Sequence, residues 1–325
     1  MFRRTIVWLS AVLALYVITG SRPVAQAAES ISVASFNVQF VGHFKNRDNA
    51  ALAKLMAPHD LIFIQELVAP PVAGVYPGGT PYKADNEAKA FVDAMTAEGF
   101  SYLLSEEDTG TGEKNHKTSS ATEWFIAFYR PATVLPAPEL ASGFLAADRS
   151  DHPDYERVPY AFPFRAGAAD LVFISVHLQP GGGSKDTARR AHELAAIHQW
   201  VAAQPGPERD YVILGDMNIE DCEELANVLA PGFKSLNHDC RATNTNSNGP
   251  KPYDHVMYNT EASAAEIDTA TGLEVIDLVD AMRAAWPPDA GPYPGDPYDH
   301  KGFRTRYSDH NPVVFKIRTG GPDDD

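Results

Sequence analysis

Seven short runs rich in Val, Ile, Phe and Tyr recur along the chain, at residues 31–36, 61–64, 124–129, 171–176, 211–214, 255–258 and 313–317. Runs of four to six such residues predict strands buried on one or both faces. Helical patterns fall between them. Within 185–203, Ala188, Ala191, Leu194, Ile197 and Val201 recur at spacings of three and four, which lines one helical face. Phe91 and Met95 stand four apart within 84–98, as do Leu52 and Met56 within 49–56. Strand and helix alternate from end to end without a composition shift, and no repeat of roughly 20–50 residues is present. One domain over 28–319 is therefore predicted, with 320–325 as a solvated acidic tail. Two connections are long for a compact domain and read as functional: 105–120, which is polar, and 286–302, rich in Pro, Gly, Tyr and Asp.

The N-terminus breaks the pattern. Arg3 and Arg4 precede an apolar run over 6–18, and Ala25-Gln26-Ala27 offers small residues for cleavage, so 1–27 is predicted to be a secretory signal. A helix of that apolar length rises only about 20 Å, short of a hydrocarbon core of about 30 Å. No later run is long and apolar enough to cross a bilayer. Export to the periplasm or the medium is expected.

Among the 325 residues, 44% are hydrophobic and 22% charged, which excludes a largely disordered chain. Two cysteines cannot make a disulfide-rich scaffold or a four-thiolate zinc site. The formal charge is −16, and loss of the three arginines in 1–27 makes it −19. Such a field repels polyanions as a whole, which excludes a protein that coats nucleic acid by charge alone. It leaves open an enzyme whose acidic residues collect cations, because bound cations invert the local field.

The candidate chemistry sits at the strand ends. Asn37 follows the first run, Glu66 the second, His177 the fourth, and Asp216 and Asn218 the fifth. Glu123 directly precedes the third run, Asp254 opens the sixth, and Ser308-Asp309-His310 precedes the last. Polar groups at strand ends converge over one rim of a sheet, where loops adapt to a substrate. Carboxylates and an Asn oxygen suit a hard divalent cation such as Mg²⁺ or Ca²⁺, and histidines beside carboxylates supply an acid and a base.

Taken in order, Phe36-Asn37, Gln65-Glu66, Glu123, Ser175-Val176-His177-Leu178, Gly215-Asp216-Met217-Asn218, Tyr253-Asp254-His255 and Ser308-Asp309-His310 resemble the endonuclease/exonuclease/phosphatase superfamily over nearly the whole chain after the leader. Within it the likeness is greatest to the deoxyribonuclease I group. Strand–helix alternation alone also admits a doubly wound parallel sheet; the resemblance implies a four-layer α/β/β/α sandwich of two mainly antiparallel sheets with outer helices. It implies a monomer and a nucleic acid substrate. Glu66 would hold an essential Mg²⁺ (Mn²⁺ or Ca²⁺ in its place), with Asn37, Asp309 and Asp216 nearby. His177 with Glu123 and His310 with Asp254 would form two acid/base pairs, the identity of the base being left open. Asp216 and Asn218 would position the metal or the phosphate, and Arg157 would contact a phosphate oxygen. The resemblance also pairs Cys222 with Cys240 in a disulfide, as suits an exported chain.

Two departures concern the substrate. Where the deoxyribonuclease I group carries a groove-entering Arg after its metal glutamate, this chain has Val68, and in place of a sugar-stacking Tyr it has Ala121. Lys114, His116 and Lys117, and Lys301, Arg304 and Arg306, are the candidate replacement cations. The activity implied is a metal-dependent nuclease of low sequence preference acting on DNA, with RNA open. A phosphoesterase for phospholipid head groups or inositol phosphates is the alternative, and a catalytically dead binding module a third reading.

Overall fold

A computed structural model describes residues 29–110, 116, 122–148, 152–294 and 298–321. The 1–27 leader, Lys114, Lys117, Ala121 and most of the acidic tail lie outside them. Strand and helix alternate as the pattern predicts, and they build two facing sheets. The first runs from edge to edge through β14 (Glu274–Val275), β15 (Val313–Arg318), β1 (Ser30–Val41), β2 (Leu61–Leu67), β6 (Trp124–Tyr129) and β5 (Ser101–Leu104). The second runs through β12 (Phe233–Ser235), β13 (Asp254–Asn259), β11 (Tyr211–Asp216), β10 (Ala169–His177), β9 (Tyr160–Ala166) and β7 (Leu135–Pro136), with β8 (Gly143–Phe144) also on β9. A small hairpin, β3 (Gly74–Val75) with β4 (Pro81–Tyr82), stands apart. Only β1 with β2, and β10 with β11, pair in parallel among the described residues; every other pairing is antiparallel.

Each strand of the two sheets shows why it lies where it does. Along β1, Val33 faces the opposing sheet while Ala34 and Phe36 face outward to helices, the two-residue period of a strand buried on both faces. The inter-sheet core is aromatic: the Phe63 ring lies 5.9 Å from Phe162 and 5.1 Å from Phe173. The outer face of the first sheet packs on α1 (Asn49–Met56) and α2 (Asn86–Ala97) through Leu52, Met56, Phe91 and Met95. The outer face of the second packs on α3 (Ser184–Ala202) and α4 (Cys222–Val228) through Leu194, Ile197 and Leu225. Two short helices, α5 (Leu278–Ala281) and α6 (His300–Arg306), complete the outer layer beside the first sheet. The result is the four-layer sandwich.

Helix α3 differs from its predicted face. Ala188 is exposed, and the buried stripe includes Arg190 and Glu193 beside Leu194 and Ile197. The charges are neutralised in place: Arg190 donates to both oxygens of Glu224 at 2.6 and 3.0 Å, and Glu193 accepts from the backbone N–H groups of Glu156 and Gln179 at 2.7 and 2.9 Å. Apolar spacing alone cannot report a polar residue that is buried with its partner.

Candidate active site

The two sheets meet their polar residues at one rim, where the strands end in bulges. The β1–β2 register shifts between Asn37 and Val41, and the β2–β6 register shifts between Ile64 and Leu67. Gln39, Phe40 and Glu66 take φ values of 48°, 50° and 63°, in the left-handed region that non-glycine residues avoid. Such strain, about 1–3 kcal/mol for each residue, persists where surrounding structure over-determines it. Here it turns Glu66 inward: Oε1 accepts from Asn37 Nδ2 at 2.9 Å, and Oε2 from the Phe40 N–H at 3.0 Å.

Asn37 is the hinge of the arrangement. Its Nδ2 also donates to Asp216 Oδ2 at 2.9 Å, so one amide joins a carboxylate on each sheet. Asp216 ends β11, and its Oδ1 accepts from the Asn218 N–H at 2.9 Å. Asn218 stands at φ 51° and donates its Nδ2 to Leu178 O at 3.1 Å, which ties the loop after β11 to the end of β10.

Two imidazoles flank Asp216. His177 hydrogen-bonds through Nδ1 to Glu123 Oε1 at 2.9 Å and turns Nε2 to within 3.6 Å of Asp216 Oδ2. His310 hydrogen-bonds through Nδ1 to Asp254 Oδ2 at 2.8 Å and brings Nε2 to 3.4 Å from the same oxygen. In both pairs the imidazole and its carboxylate come from different sheets. Glu123 directly precedes β6 and meets His177 at the end of β10, whereas Asp254 opens β13 and meets His310 on the approach to β15.

Charge and burial set the protonation states. Burial alone would push His310 down, but Asp254 and Asp216 outweigh it and hold the imidazole well above its usual value. His177 is also raised: burial and the Arg157 cation press it downward, and Glu123 and Asp216 prevail. Asp216 is held below the carboxylate range, since the two histidines overcome its burial. Glu66 is pushed up, first by burial, with Asp309 and Glu123 adding to the effect against His177 and Asn37.

The donor set fits a hard cation. Glu66, His177 and Asp216 offer ligand atoms within 4.8 Å of one another, as do Asp216, Asp254 and His310. Asp309 receives Gln39 Nε2 on one oxygen, while its Oδ1 is buried without a hydrogen-bond partner. A buried carboxylate oxygen lacking a donor, next to a glutamate destabilised by negative neighbours, is what a divalent ion relieves. Asn37 presents its amide nitrogen to the carboxylates, and its oxygen accepts from the Gln39 N–H at 2.9 Å.

The remaining expected residues fall as follows. Arg157 is buried with Nε 3.2 Å from Glu123 Oε1, and its Nη1 has no hydrogen-bond partner. Cys222 and Cys240 form a disulfide with Cα atoms 5.7 Å apart, bracing the segment after Asn218. Val68 is buried, so the position that replaces a groove-reaching Arg faces the interior. His116 stacks on Tyr76 at 3.9 Å and lies 3.3 and 3.4 Å from Glu107 and Asp108, and Arg306 pairs with Asp48 at 3.4 Å. Both are engaged in the fold. Arg47 escaped the sequence reading. Its buried guanidinium donates to the carbonyls of Val38, Gln39 and Tyr307, and so clamps the bulge of β1 to the segment before Ser308. Only its place shortly after a strand-end motif hinted at this.

Comparison with known proteins agrees with the architecture. Residues 34–310 match the model of the Endonuclease/Exonuclease/phosphatase family. A deoxyribonuclease from Thioalkalivibrio sp. (strain K90mix) is 25% identical over 300 residues, covering 88% of this chain and 71% of that protein. Two solved structures share the fold. D. rerio TDP2 complexed with single strand DNA product has 17% identity and a TM-score of 0.53, covering 90% of this chain and all of that one. A protein from Leptotrichia buccalis C-1013-b has 14% identity and a TM-score of 0.55, covering 89% and 99%.

Proposed function

The chain belongs to the endonuclease/exonuclease/phosphatase family, and we propose that it is an exported, divalent-metal-dependent nuclease that hydrolyses phosphodiester bonds of DNA with low sequence preference. One observation carries the reading: two imidazole–carboxylate pairs aim their Nε2 atoms at a single aspartate beside a buried glutamate. The name of the Thioalkalivibrio relative supports DNA as the substrate, and the Cys222–Cys240 disulfide supports an oxidising destination. The absence among the described residues of a helix able to cross a membrane is compatible with that destination.

A phosphodiester resists attack because its oxygens already carry charge, so hydrolysis needs neutralisation, an activated water and a protonated leaving oxygen. A divalent ion held by Glu66 and Asp216, with Asn37 and Asp309 at its margin, would supply the neutralisation. The two histidines divide the proton work by an asymmetry of their partners. Asp216 lies beside both rings, but Glu123 is shared between His177 and the Arg157 guanidinium, whereas no cation other than His310 faces Asp254. His177 therefore takes the proton of the attacking water, and His310, as imidazolium, gives one to the departing ester oxygen. A new P–O bond forms as the ester P–O bond breaks, leaving a phosphate monoester and an alcohol. Asp216 stays ionised between the rings and orients both. Asn218 steadies Asp216, and the free Nη1 of Arg157 is a donor for a phosphate oxygen.

The test is a panel of plasmid DNA, single strands and RNA with Mg²⁺, Mn²⁺ or Ca²⁺, beside sphingomyelin and inositol phosphates. Cleavage of DNA with metal, abolished by EDTA, is expected. Hydrolysis of the lipid or inositol esters with every nucleic acid left intact overturns the reading. The buried Val68 favours that second activity, since no Arg at this position reaches a groove.

A further inference from the structure

Beside Glu66 the surface carries aromatic rings where polar groups would be expected. Phe40, whose N–H binds the glutamate, lies 5.6 Å from Phe44 and 6.1 Å from His43, ring centre to ring centre. Phe40 and Phe44 are half-buried, and His43 and Lys45 are exposed. The turn that presents them is rigid. The His43 N–H closes onto Phe40 O at 2.9 Å, and the Gly42 N–H is held by Glu87. Gly42 stands at φ +103°, and a Cβ there would meet Ala69 Cβ at 2.5 Å, so the chain approaches the segment just after β2 as closely as glycine permits. Glu87 in turn pairs with Arg47 at 3.1 Å, and the Arg47 guanidinium lies 5.6 Å from the Phe44 ring centre. Two consecutive residues, Gln39 and Phe40, carry positive φ to keep this turn in place.

Strain, close packing and a buried cation thus hold two rings partly in water next to the most polar part of the molecule. His43 and Lys45, the sequence neighbours of Phe44, line a cleft of about 630 Å³. Its acids are occupied: Asp85 caps α2, and Glu87 is bound to Gly42 and Arg47. Rings supply a face on which any base can stack, and Lys45 supplies a charge for the next phosphate, within a chain that is otherwise strongly acidic.

Building on the nuclease reading of the same site, we infer that Phe40, His43, Phe44 and Lys45 form a stacking platform for an unpaired base one step from the scissile phosphate, which makes single-stranded DNA the preferred substrate. A base still paired in a duplex keeps its faces against its neighbours, so only an unstacked nucleotide gains this contact.

The experiment compares kcat/KM for an oligo-dT with that for bis(p-nitrophenyl) phosphate, a diester without bases, in Phe44→Ala, Phe44→Leu and Phe44→Tyr proteins. Binding of fluorescent oligo-dT to the full-length protein is measured in parallel. The ratio is expected to fall by about tenfold or more in the Ala and Leu variants, matching the worth of one stacked base, and to recover in Tyr. Oligo-dT binding should weaken in the same order. An unchanged ratio and unchanged binding in all three overturns the platform while leaving the nuclease reading standing. Aromatic-dependent oligonucleotide binding without cleavage of any nucleic acid upholds the platform and sinks the nuclease reading. Equal loss in Leu and Tyr assigns Phe44 to packing and also overturns the proposal.

Discussion

Asn37 on one sheet and Asp216 on the other are joined by a 2.9 Å hydrogen bond from Nδ2 to Oδ2. The same amide holds Glu66, so a single side chain bridges two carboxylates whose other oxygens are fixed by the Phe40 and Asn218 N–H groups. Asn37→Ala removes that bridge and leaves two buried acids facing each other. Its cleavage rate should drop by about 10²–10³-fold, with a raised requirement for metal, read from a Mg²⁺ titration of initial rates. An unshifted titration with full activity would show that the bridge is dispensable.

Removing either imidazole should silence the proton transfers. His177→Ala and His310→Ala are each expected to lose about 10²–10⁴-fold in kcat. The double variant should be little worse than the slower single one, because the groups act as a unit. Additive losses measured across that cycle would mean that the histidines work independently.

Metal should also act on stability. A cation that binds only the folded chain adds about 2.7 kcal/mol at a hundredfold excess over its Kd. Mg²⁺ should therefore raise the Tm of the native protein. Glu66→Gln should blunt that rise without lowering the Tm measured in EDTA, because Glu66 is destabilised by its burial when the ion is absent. Differential scanning fluorimetry with and without EDTA reads both effects.

The fold should lose stability in mild acid through His255. Burial holds this ring, hydrogen-bonded to Ser235 at 2.9 Å, down to about 4, against 6.5 for a free imidazole. Between these values the unfolded chain binds a proton that the folded chain refuses. Stability therefore falls as pH drops from about 6.5 to about 4, by about 3 kcal/mol for this group. His255→Gln should flatten the slope of unfolding free energy against pH within that window, relative to the unsubstituted protein. Identical slopes would remove His255 from the account.

Gly215 should tolerate no side chain. It stands at φ +138° beside β10, and a Cβ would lie 2.1 Å from Val176 O. Gly215→Ala must push β11 away from β10 and carry Asp216 with it. A loss of at least about 2–3 kcal/mol in urea unfolding is expected, together with loss of turnover.

Much of this was legible in the sequence, and the exceptions have causes. Residues 49–56 read as a helix because Leu52 and Met56 fall on its buried face, and the helix forms over Asn49–Met56. Strand β2 runs three residues beyond the predicted 61–64, since the bulge at Glu66 lets the chain stay paired through a polar position. Strand β9 was missed: Tyr160–Ala166 contains Pro163, which signals a break, yet Pro163 sits opposite Val172 within the ladder. The polar residues that gather at the rim are legible in the sequence only as separate strand ends. That Glu123 meets His177 and Asp254 meets His310 came from family likeness, because partners 54 and 56 residues apart leave no local trace. Arg47 and the ring pair Phe40–Phe44 stayed hidden because their roles depend on backbone carbonyls and exposure, which no pattern of types records.

Each imidazole–carboxylate couple is split between the two halves of the sandwich, so neither half can keep a couple by itself. A small slippage along the aromatic seam of Phe63, Phe162 and Phe173 would uncouple both together while helices and strands stayed intact. In increasing urea, turnover is thus set to vanish ahead of the far-ultraviolet dichroism, with the enzyme serving as its own gauge of alignment.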